Sequence, residues 1–546
     1  MLFNSYEYFA FIIIVYLFYR ILPHRGQNIL LLLASYMFYA WWDIRFLFLI
    51  VIITVVNFSC GAIIYSGKIS RKDRVLLSFW FIVTCFLFIV IRWEYFYFLI
   101  SNPAVTWTVL ISWQKGWLIL GGICILTCLA NLLYPKIINL ESDKKQKIFV
   151  SLSVVTNLSI LGFFKYFNFF IENIEGLISS FNLDPTAFRL NIILPIGISF
   201  YTFKSMTYTV DIYRGNLEPA GNYLDFALYV AFFPSLLAGP IDRAANLLPQ
   251  FYTKRKITMD QSVRGLYLIF YGLFKKVAIA DGVIRTVNQI YGSTGQISWM
   301  DVVIGTLLFT IQIYCDFSGY TDIARGTAKL FGIDLMTNFN LPYFSQNPRE
   351  FWTRWHISLS TWLRDYLYLP LGGNKKGTIK TYRNLMLTMI LGGLWHGAAW
   401  NFVLWGFYHG ILLCLHRIMK PVKDIHSITS NIFIKYAKIL FCFVLISYGW
   451  MLFRSTSFEQ IMNFSAILIR DFGNIDFGAF SSKPRFSVIL ALPLFLFIEL
   501  IEYTMDGKSF YKTLPVPAWT AIFALMVFAL LSGLTSESSQ FIYFNF

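Results

Sequence analysis

The chain has 546 residues, of which 57% are hydrophobic, 19% aromatic and only 14% charged. Soluble domains carry about 25% charged residues, so a soluble fold of this composition would have more apolar surface than it could bury. The composition excludes an ordinary soluble protein and predicts an integral membrane protein, because lipid is itself an apolar solvent. The net charge of +16 lies mainly in short loops between apolar runs, which is typical of cytoplasmic loops and not of a nucleic-acid-binding surface.

Apolar runs recur from one end of the chain to the other. Their centres lie near residues 15, 35, 55, 85, 125, 160, 232, 270, 308, 392, 408, 445, 493 and 525. Since a membrane-spanning helix needs about 20 residues, the pattern predicts an all-α, polytopic protein with about 11 to 13 transmembrane helices, some of them re-entrant. No repeat or linker divides the chain, so residues 1–546 are predicted to form a single domain.

The basic loops predict the orientation of these helices. Positive charge is concentrated in residues 68–74, 136–147, 254–256 and 349–383. The loop after residue 170 instead carries Glu172, Glu175 and Asp184, and the segment after residue 533 has no Lys or Arg. Placing the basic clusters in the cytoplasm puts both chain ends on the extracytoplasmic side.

Residues 340–377 are too polar to span a membrane and are dense in Trp, Arg, Tyr and Pro. Within them, apolar side chains recur at helical spacing: Phe351, Trp355, Leu359, Trp362 and Tyr366. This spacing predicts a helix that lies in the membrane interface with its apolar face against lipid or protein.

Two of the six histidines are candidates for a functional role. His396 lies in Leu391-Gly-Gly-Leu-Trp-His-Gly-Ala-Ala-Trp400, roughly twelve residues after a basic loop. That length of helix rises about 18 Å, which places His396 near the middle of a hydrocarbon core about 30 Å thick. An ionisable group there is a functional candidate, and the structural alternative is a hydrogen bond to a neighbouring helix. His356 lies on the predicted interfacial helix, where the alternative is a histidine that anchors the helix among headgroups.

Other polar groups give weaker signals. His409 is expected one or two turns further along the same hairpin, whereas His24, His416 and His426 fall in or near loops. Asp316 and Asp322 lie in or near an apolar run, where they would orient a histidine or cap a re-entrant helix. The chain has no metal-ligand set, and its seven cysteines are interpreted as buried free thiols.

Six segments, in order, resemble the membrane-bound O-acyltransferase (MBOAT) family, in the branch that contains alginate O-acetylation proteins and peptidoglycan O-acetyltransferase A. The resemblance covers about residues 190–460, the predicted motif-bearing core. The segments are Pro195-Ile-Gly-Ile-Ser-Phe-Tyr201, Phe233-Pro-Ser-Leu-Leu-Ala-Gly-Pro-Ile241, Asp316-Phe-Ser-Gly-Tyr-Thr-Asp322, Phe351-Trp-Thr-Arg-Trp-His-Ile-Ser-Leu-Ser-Thr-Trp362, Leu391-Gly-Gly-Leu-Trp-His-Gly397 and Trp450-Met-Leu-Phe-Arg454.

The resemblance implies many helices around a central funnel or tunnel, with a catalytic histidine deep inside that corresponds to His396. It assigns the second family histidine to His356. The extracytoplasmic C-terminal tail, residues 534–546, also resembles an F-x-Y-x-x-F ending, in which Phe541, Tyr543 and Phe546 fit the pattern and Tyr543 would carry the acyl group. The alternative for this aromatic tail is anchoring at the membrane interface.

The family chemistry implies transfer of an acyl group, by resemblance acetyl, to the hydroxyl of a cell-surface or cell-wall polysaccharide such as peptidoglycan or alginate. The implied donor is a cytoplasmic thioester, either acetyl-CoA or a protein-bound thioester, with no permanently bound cofactor. The implied location is a bacterial cytoplasmic (inner) membrane, and the implied partner is a separate extracytoplasmic SGNH-type transferase or esterase. The alternative function is a transporter or flippase of an acyl or lipid-linked donor, although the paired halves of many transporters are absent from the sequence.

Overall fold

The computed structural model describes residues 1–93, 111, 115–181, 184, 189–190, 192–237, 239–293, 295, 297–419, 432–475, 486–505, 509–534 and 541–542. Within these residues every regular element is a helix. The first twelve α-helices are α1 Tyr6–Ile21, α2 His24–Asp43, α3 Leu47–Ser66, α4 Arg71–Cys85, α5 Lys115–Ile138, α6 Ser142–Leu161, α7 Phe167–Asn173, α8 Glu175–Ser180, α9 Ile198–Tyr213, α10 Tyr223–Ala231, α11 Phe233–Leu236 and α12 Ala244–Tyr252.

The later α-helices carry most of the sequence motifs. They are α13 Met259–Leu273, α14 Asp281–Tyr291, α15 Trp299–Leu330, α16 Pro348–Arg354, α17 Ile357–Leu363, α18 Thr378–His396, α19 Trp400–Ile418, α20 Ile432–Arg454, α21 Phe458–Arg470, α22 Phe486–Thr504, α23 Phe510–Thr513 and α24 Val516–Gly533. Wider π-type turns, Gly162–Tyr166, Phe274–Ala280 and Arg364–Tyr368, follow α6, α13 and α17.

Eight helical runs among the described residues are long and apolar enough to cross a membrane. They are His24–Ser66, Arg71–Val90, Gly116–Ile138, Ser142–Asn173, Trp299–Leu330, Ile432–Arg454, Ser487–Thr504 and Val516–Gly533. The prediction of an all-helical, multi-pass membrane protein is confirmed. The sequence predicted about 11 to 13 transmembrane helices, more than these eight runs. That prediction also included shorter apolar runs such as α1, which has 16 residues.

The peripheral helices turn large apolar side chains outward. On α5, Leu118 is 76% exposed and Leu132 is 73% exposed. An apolar face of this kind is stable against lipid but not against water. The long helix α15 is different, because 72% of its most apolar stretch is buried inside the bundle, and it forms the centre around which the other helices pack.

Two glycine pairs bring α13 and α15 into close contact. A Cβ added at Gly265 would lie 2.9 Å from the Gly326 carbonyl oxygen, and one added at Gly319 would lie 2.7 Å from the Gly272 carbonyl oxygen. Small residues at such a crossing let two backbones approach, which is the main source of helix association in lipid. The crossing therefore fixes α15 and the charged residues it carries.

Two of the basic loops pack against the consecutive helices α2 and α3. Gln146 donates a hydrogen bond to the Ile64 carbonyl oxygen at 3.1 Å, which joins the basic cluster 136–147 to the end of α3. Arg255 donates to Asn28 at 2.6 Å, which joins the cluster 254–256 to the start of α2.

The described parts of the two chain ends lie beside each other, because Phe3 and Phe541 both contact the Tyr320 ring.

Candidate functional site

His396 is the last residue of α18, at the tip of a tight helical hairpin with α19. A Cβ added at Gly393 would overlap the Phe402 carbonyl oxygen, and one at Gly406 would overlap the Met389 carbonyl oxygen. The two glycines let α18 and α19 run in backbone contact, so the predicted hairpin is confirmed. Its tip holds His396 inside the protein, where the side chain is only 4% exposed.

Three large rings surround the His396 imidazole. The ring centroids of Trp395 and Trp405 lie 5.0 Å away, and that of Phe453 lies 5.5 Å away. All three meet the imidazole near a right angle, the edge-to-face geometry that aromatic pairs favour. This enclosure fixes the imidazole and excludes bulk water from most of its surface.

The end of α18 is capped by a side chain from another helix. Lys165, in the π-type turn after α6, donates to the carbonyl oxygens of Trp395 at 2.6 Å and His396 at 3.0 Å. Tyr166 donates to the Leu394 carbonyl oxygen at 2.8 Å. The last carbonyls of a helix lack internal partners and carry its negative dipole end, so a cation there holds the terminus in place. The sequence signal for Lys165 was a lone lysine in a strongly apolar run, and sequence reasoning missed it.

We expect Lys165→Met to lower any activity that depends on His396 by about 10- to 100-fold or more, since each of the two charged hydrogen bonds that it removes corresponds to about that factor. The substitution keeps the apolar stem and removes the ammonium that positions His396. Turnover by purified, folded protein measures the effect. Tyr166→Phe is the matched control, because it removes a neutral donor to the same helix end and should cost less. Wild-type turnover in Lys165→Met would contradict the positioning role.

His356 lies between two short helices and not within one helix. The prediction of a continuous interfacial helix is wrong here, because α16 ends at Arg354 and α17 begins at Ile357. His356 has φ 40° and ψ 55°, a left-handed conformation that costs a non-glycine residue about 1–3 kcal/mol. Asn338 supports the break, since its backbone carbonyl oxygen accepts from the Ile357 N–H at 2.9 Å.

The break turns the His356 side chain into the core, where it is 0% exposed. Its imidazole contacts Phe317 at 4.7 Å and Trp395 at 6.0 Å between ring centroids. Neither ring nitrogen has a hydrogen-bond partner in the part of the chain that the structure describes. Trp395 therefore contacts both predicted histidines, since its ring centroid also lies 5.0 Å from that of His396.

A third buried histidine, His409 on α19, joins the same aromatic cluster. Its ring lies 4.8 Å from Trp405 and 5.3 Å from Trp352, and it is 0% exposed. A Cβ at Gly449 would lie 2.7 Å from His409 Nε2, so only glycine leaves room for this ring. The sequence placed His409 on the hairpin but gave no sign of Trp352 and Gly449, because these two neighbours lie on α16 and α20.

Two cavities flank the hairpin tip. A small one of about 50 Å³ is lined by His396, Lys165, Trp395 and Phe200. A larger one of about 370 Å³ is lined by Lys276, Asp316, Phe453, Arg454 and Ile542, among others. His396 does not line the larger cavity, but Phe453 does, and Phe453 contacts the His396 ring.

Asp316 and Asp322 form ion pairs within the bundle. Asp316 accepts from Lys276 at 2.9 Å, and Asp322 accepts from Lys275 at 2.5 Å. The predictions that these two aspartates orient a histidine or cap a re-entrant helix are wrong. Both aspartates lie inside the continuous helix α15, and their carboxylates pair with Lys276 and Lys275. Among the described residues no group of His, Cys, Asp or Glu could hold a metal ion.

An arginine cluster, Arg214, Arg243 and Arg364, lies at the end of the bundle that carries the basic loops. All three contact Asp365: Arg364 at 2.7 Å, Arg243 as an ion pair, and Arg214 through the Asp365 carbonyl oxygen at 3.2 Å. Partial burial raises the pKa of the Asp365 carboxyl, but hydrogen bonds from Arg364 and Arg243 outweigh it and hold that pKa below its ordinary value. The cluster retains excess positive charge.

An aromatic row connects the arginine cluster to His396. It consists of Tyr366, Trp362, Phe203 and Trp395, with successive ring centroids 5.3, 3.9 and 5.7 Å apart. Arg214 and Arg243 lie over Tyr366 at 5.2 and 5.5 Å, and Trp395 contacts His396. A continuous row of ring contacts, most of them buried, thus links a cationic patch to the buried imidazole.

The third predicted site residue, Tyr543, lies outside the described residues. The residue before it, Ile542, lines the larger cavity, and its N–H donates to Asp316 Oδ2 at 2.7 Å. Phe541 is 0% exposed and contacts Phe317, the ring that also contacts His356. Phe541 and Ile542 therefore lie near the rings that surround the two histidines.

Comparison with known proteins identifies the family to which the chain belongs. Residues 220–458 match the model of the membrane-bound O-acyltransferase family. The chain is 35% identical to the probable alginate O-acetylase of Azotobacter vinelandii, over 90% of this chain and 82% of that protein. It is 32% identical to the peptidoglycan O-acetyltransferase of Helicobacter pylori, over 75% of this chain and 85% of that protein.

A more distant relative is the teichoic acid D-alanyltransferase of Bacillus subtilis, which is 29% identical over 50% of this chain and 71% of that protein. The family match spans α18 and α19, with His396 at the hairpin tip, and the segment with His356. The chain therefore belongs to the membrane-bound O-acyltransferase family and is an O-acyltransferase.

Proposed function

We propose that this protein transfers an acetyl group from a cytoplasmic thioester to the extracytoplasmic side of a bacterial inner membrane, for O-acetylation of a surface polysaccharide. One observation carries the proposal: His396 contacts both Trp395, the last ring of a row that begins at a cationic patch, and Phe453, which lines a cavity together with Ile542. The names of the alginate and peptidoglycan O-acetylating relatives support the acetyl group and the polysaccharide acceptor.

The donor would bind at the arginine cluster. Guanidinium groups are the preferred protein partners of phosphate, and coenzyme A and carrier-bound pantetheine both carry one. From there the aromatic row leads to His396, and a flexible donor arm would reach the imidazole by displacing the packing along these buried rings. This placement requires the basic loops to face the cytoplasm and both chain ends to face outward, as the loop charges predict.

His396 would act as the general base. The attacking hydroxyl oxygen forms a C–O bond to the thioester carbonyl carbon while the C–S bond breaks. The proton that His396 takes from the hydroxyl passes to the departing thiolate. A positioned base contributes about 10²- to 10⁴-fold, and the enclosed site supplies proximity as well. His356, across Trp395, would orient the thioester.

Tyr543 would be the first acceptor. It follows Ile542, which lines the cavity whose wall includes Phe453. Acetylation of the Tyr543 hydroxyl would give an aryl ester, which remains activated. Transfer of the acetyl group from this ester to a serine of an external SGNH-type partner would therefore lose little driving force. That partner would then acetylate the polysaccharide, and membrane residence would connect a cytoplasmic donor with an external acceptor.

Purified protein in sealed liposomes tests the proposal. We expect free coenzyme A to appear on the side where acetyl-CoA is supplied and an acetyl ester to appear on the protein, with both products lost in His396→Ala. Ellman-type thiol detection measures the first and mass spectrometry of the C-terminal peptide the second. Movement of intact acetyl-CoA across the membrane without thiol release would instead identify a transporter.

A further inference from the structure

The last two described residues form a specific contact with one turn of α15. The Ile542 N–H donates to Asp316 Oδ2 at 2.7 Å, and the Phe541 ring lies 5.6 Å from Phe317 and 4.5 Å from Tyr320. Phe541 is 0% exposed, and Ile542 is 8% exposed. A buried ring and a charge-assisted hydrogen bond thus hold a short segment that follows an otherwise lipid-facing helix.

Asp316 divides its two oxygens between two tasks. Oδ1 pairs with Lys276 Nζ at 2.9 Å, and Oδ2 accepts from the Ile542 amide. Lys276 also pairs with Asp281 at 2.8 Å, so the lysine does not depend on Asp316 alone for a counter-charge. A buried ion pair contributes little net stability, so the distinctive feature of this arrangement is Oδ2, the carboxylate oxygen that accepts from the Ile542 amide.

We propose that Asp316 is a positioning residue that docks the chain's own C-terminal segment beside His396, with Lys276 holding its carboxylate in place. This inference rests on the proposed relay through Tyr543. Ile542 and Phe453 both line the larger cavity, and the Phe453 ring contacts His396. Docking of Ile542 would therefore fix the position from which the chain continues to Tyr543. One hydrogen bond to a carboxylate shifts an equilibrium by about 10- to 100-fold, enough to favour docking and still permit release toward an outside acceptor.

A labelling experiment tests docking without any acyl chemistry. Ile542→Cys keeps the backbone N–H, and a bulky, membrane-impermeant maleimide then reports exposure of the segment, read by mass spectrometry of the C-terminal peptide. We expect slow labelling in this background and labelling about 10- to 100-fold faster when Asp316→Leu is added. Asp322→Leu is the matched control, because Asp322 lies on the same helix and pairs with the adjacent Lys275 but does not contact the segment.

Labelling that is equally slow in Asp316→Leu would overturn the proposal. Equally fast labelling in both aspartate variants would also overturn it, because the segment would then respond to general loosening of the bundle. Ile542→Pro and Ile542→Ala form a second pair that leaves the ion pairs untouched: proline removes the N–H donor and alanine retains it. We expect proline to lower kcat by about 10- to 100-fold, with KM for acetyl-CoA unchanged and alanine near wild type.

The outcomes separate docking from the relay. If Tyr543→Phe kept full activity, the relay would fail, while the labelling rates would still decide whether Asp316 docks the segment. If labelling supported docking but Ile542→Pro kept a wild-type kcat, the positioning role of Asp316 would be overturned. Asp316→Asn keeps an acceptor oxygen, so we expect it to restore slow labelling.

Discussion

His396→Ala is expected to abolish surface O-acetylation while protein amount and membrane insertion stay normal. Loss of a positioned base costs about 10²- to 10⁴-fold, and the rings of Trp395, Trp405 and Phe453 restrict the access of water that could act in place of the imidazole. Acetyl ester released from isolated cell-surface polysaccharide measures the effect in cells, and thiol release measures it with purified protein.

Two further variants separate chemistry from packing. His396→Gln fills most of the same space without a basic ring nitrogen, so it should be as inactive as His396→Ala. His416→Gln replaces a histidine at the other end of α19, remote from the hairpin tip, and should retain activity. Normal acetylation in His396→Ala would end the catalytic interpretation.

Tyr543→Phe is expected to eliminate acetylation of the external acceptor. The substitution keeps the ring for interfacial anchoring and removes only the hydroxyl that would receive the acyl group. The C-terminal peptide should then carry no acetyl ester by mass spectrometry, and polysaccharide acetylation should fall to the level of His396→Ala.

Phe546→Leu provides the comparison for Tyr543→Phe. It weakens an aromatic anchor in the same tail but leaves the hydroxyl, so we expect substantial activity. Wild-type activity in Tyr543→Phe would leave anchoring as the role of the tyrosine. Equal loss in both variants, with no ester on the peptide in either, would likewise favour anchoring.

The position of His396 was predictable because it depends on local features. His396 follows a basic loop by a known number of helical residues and has three glycines nearby. These features predict a position on a hairpin deep in the protein, because the rise per residue of a helix is the same in any context. His356 was harder, since a run of aromatic residues at helical spacing predicts a continuous helix. The structure breaks that helix at a left-handed residue because Asn338, distant in sequence, binds the free backbone amide of Ile357.

Lys165 and Asp316 show a second limit of sequence reasoning. A lone charge in an apolar run indicates a buried partner but does not identify it. Lys165 caps a helix end 230 positions further along the chain, and Asp316 holds an amide 226 positions away. The partner of each charge depends on which helices pack together. Contacts that govern this packing, such as those between the glycines of α13 and α15, exist only in the assembled bundle.

The sequence by itself determined that this protein resides in a membrane, that it is helical and that a histidine lies deep within it. These properties follow from hydropathy and periodicity, which sum over neighbouring residues. Only the tertiary structure decided that Trp395 contacts both His396 and His356, that an aromatic row leads to the arginine cluster, and that Ile542 meets Asp316. Each of these contacts joins separate helices, and their relative positions depend on packing across the whole bundle, which no local pattern encodes.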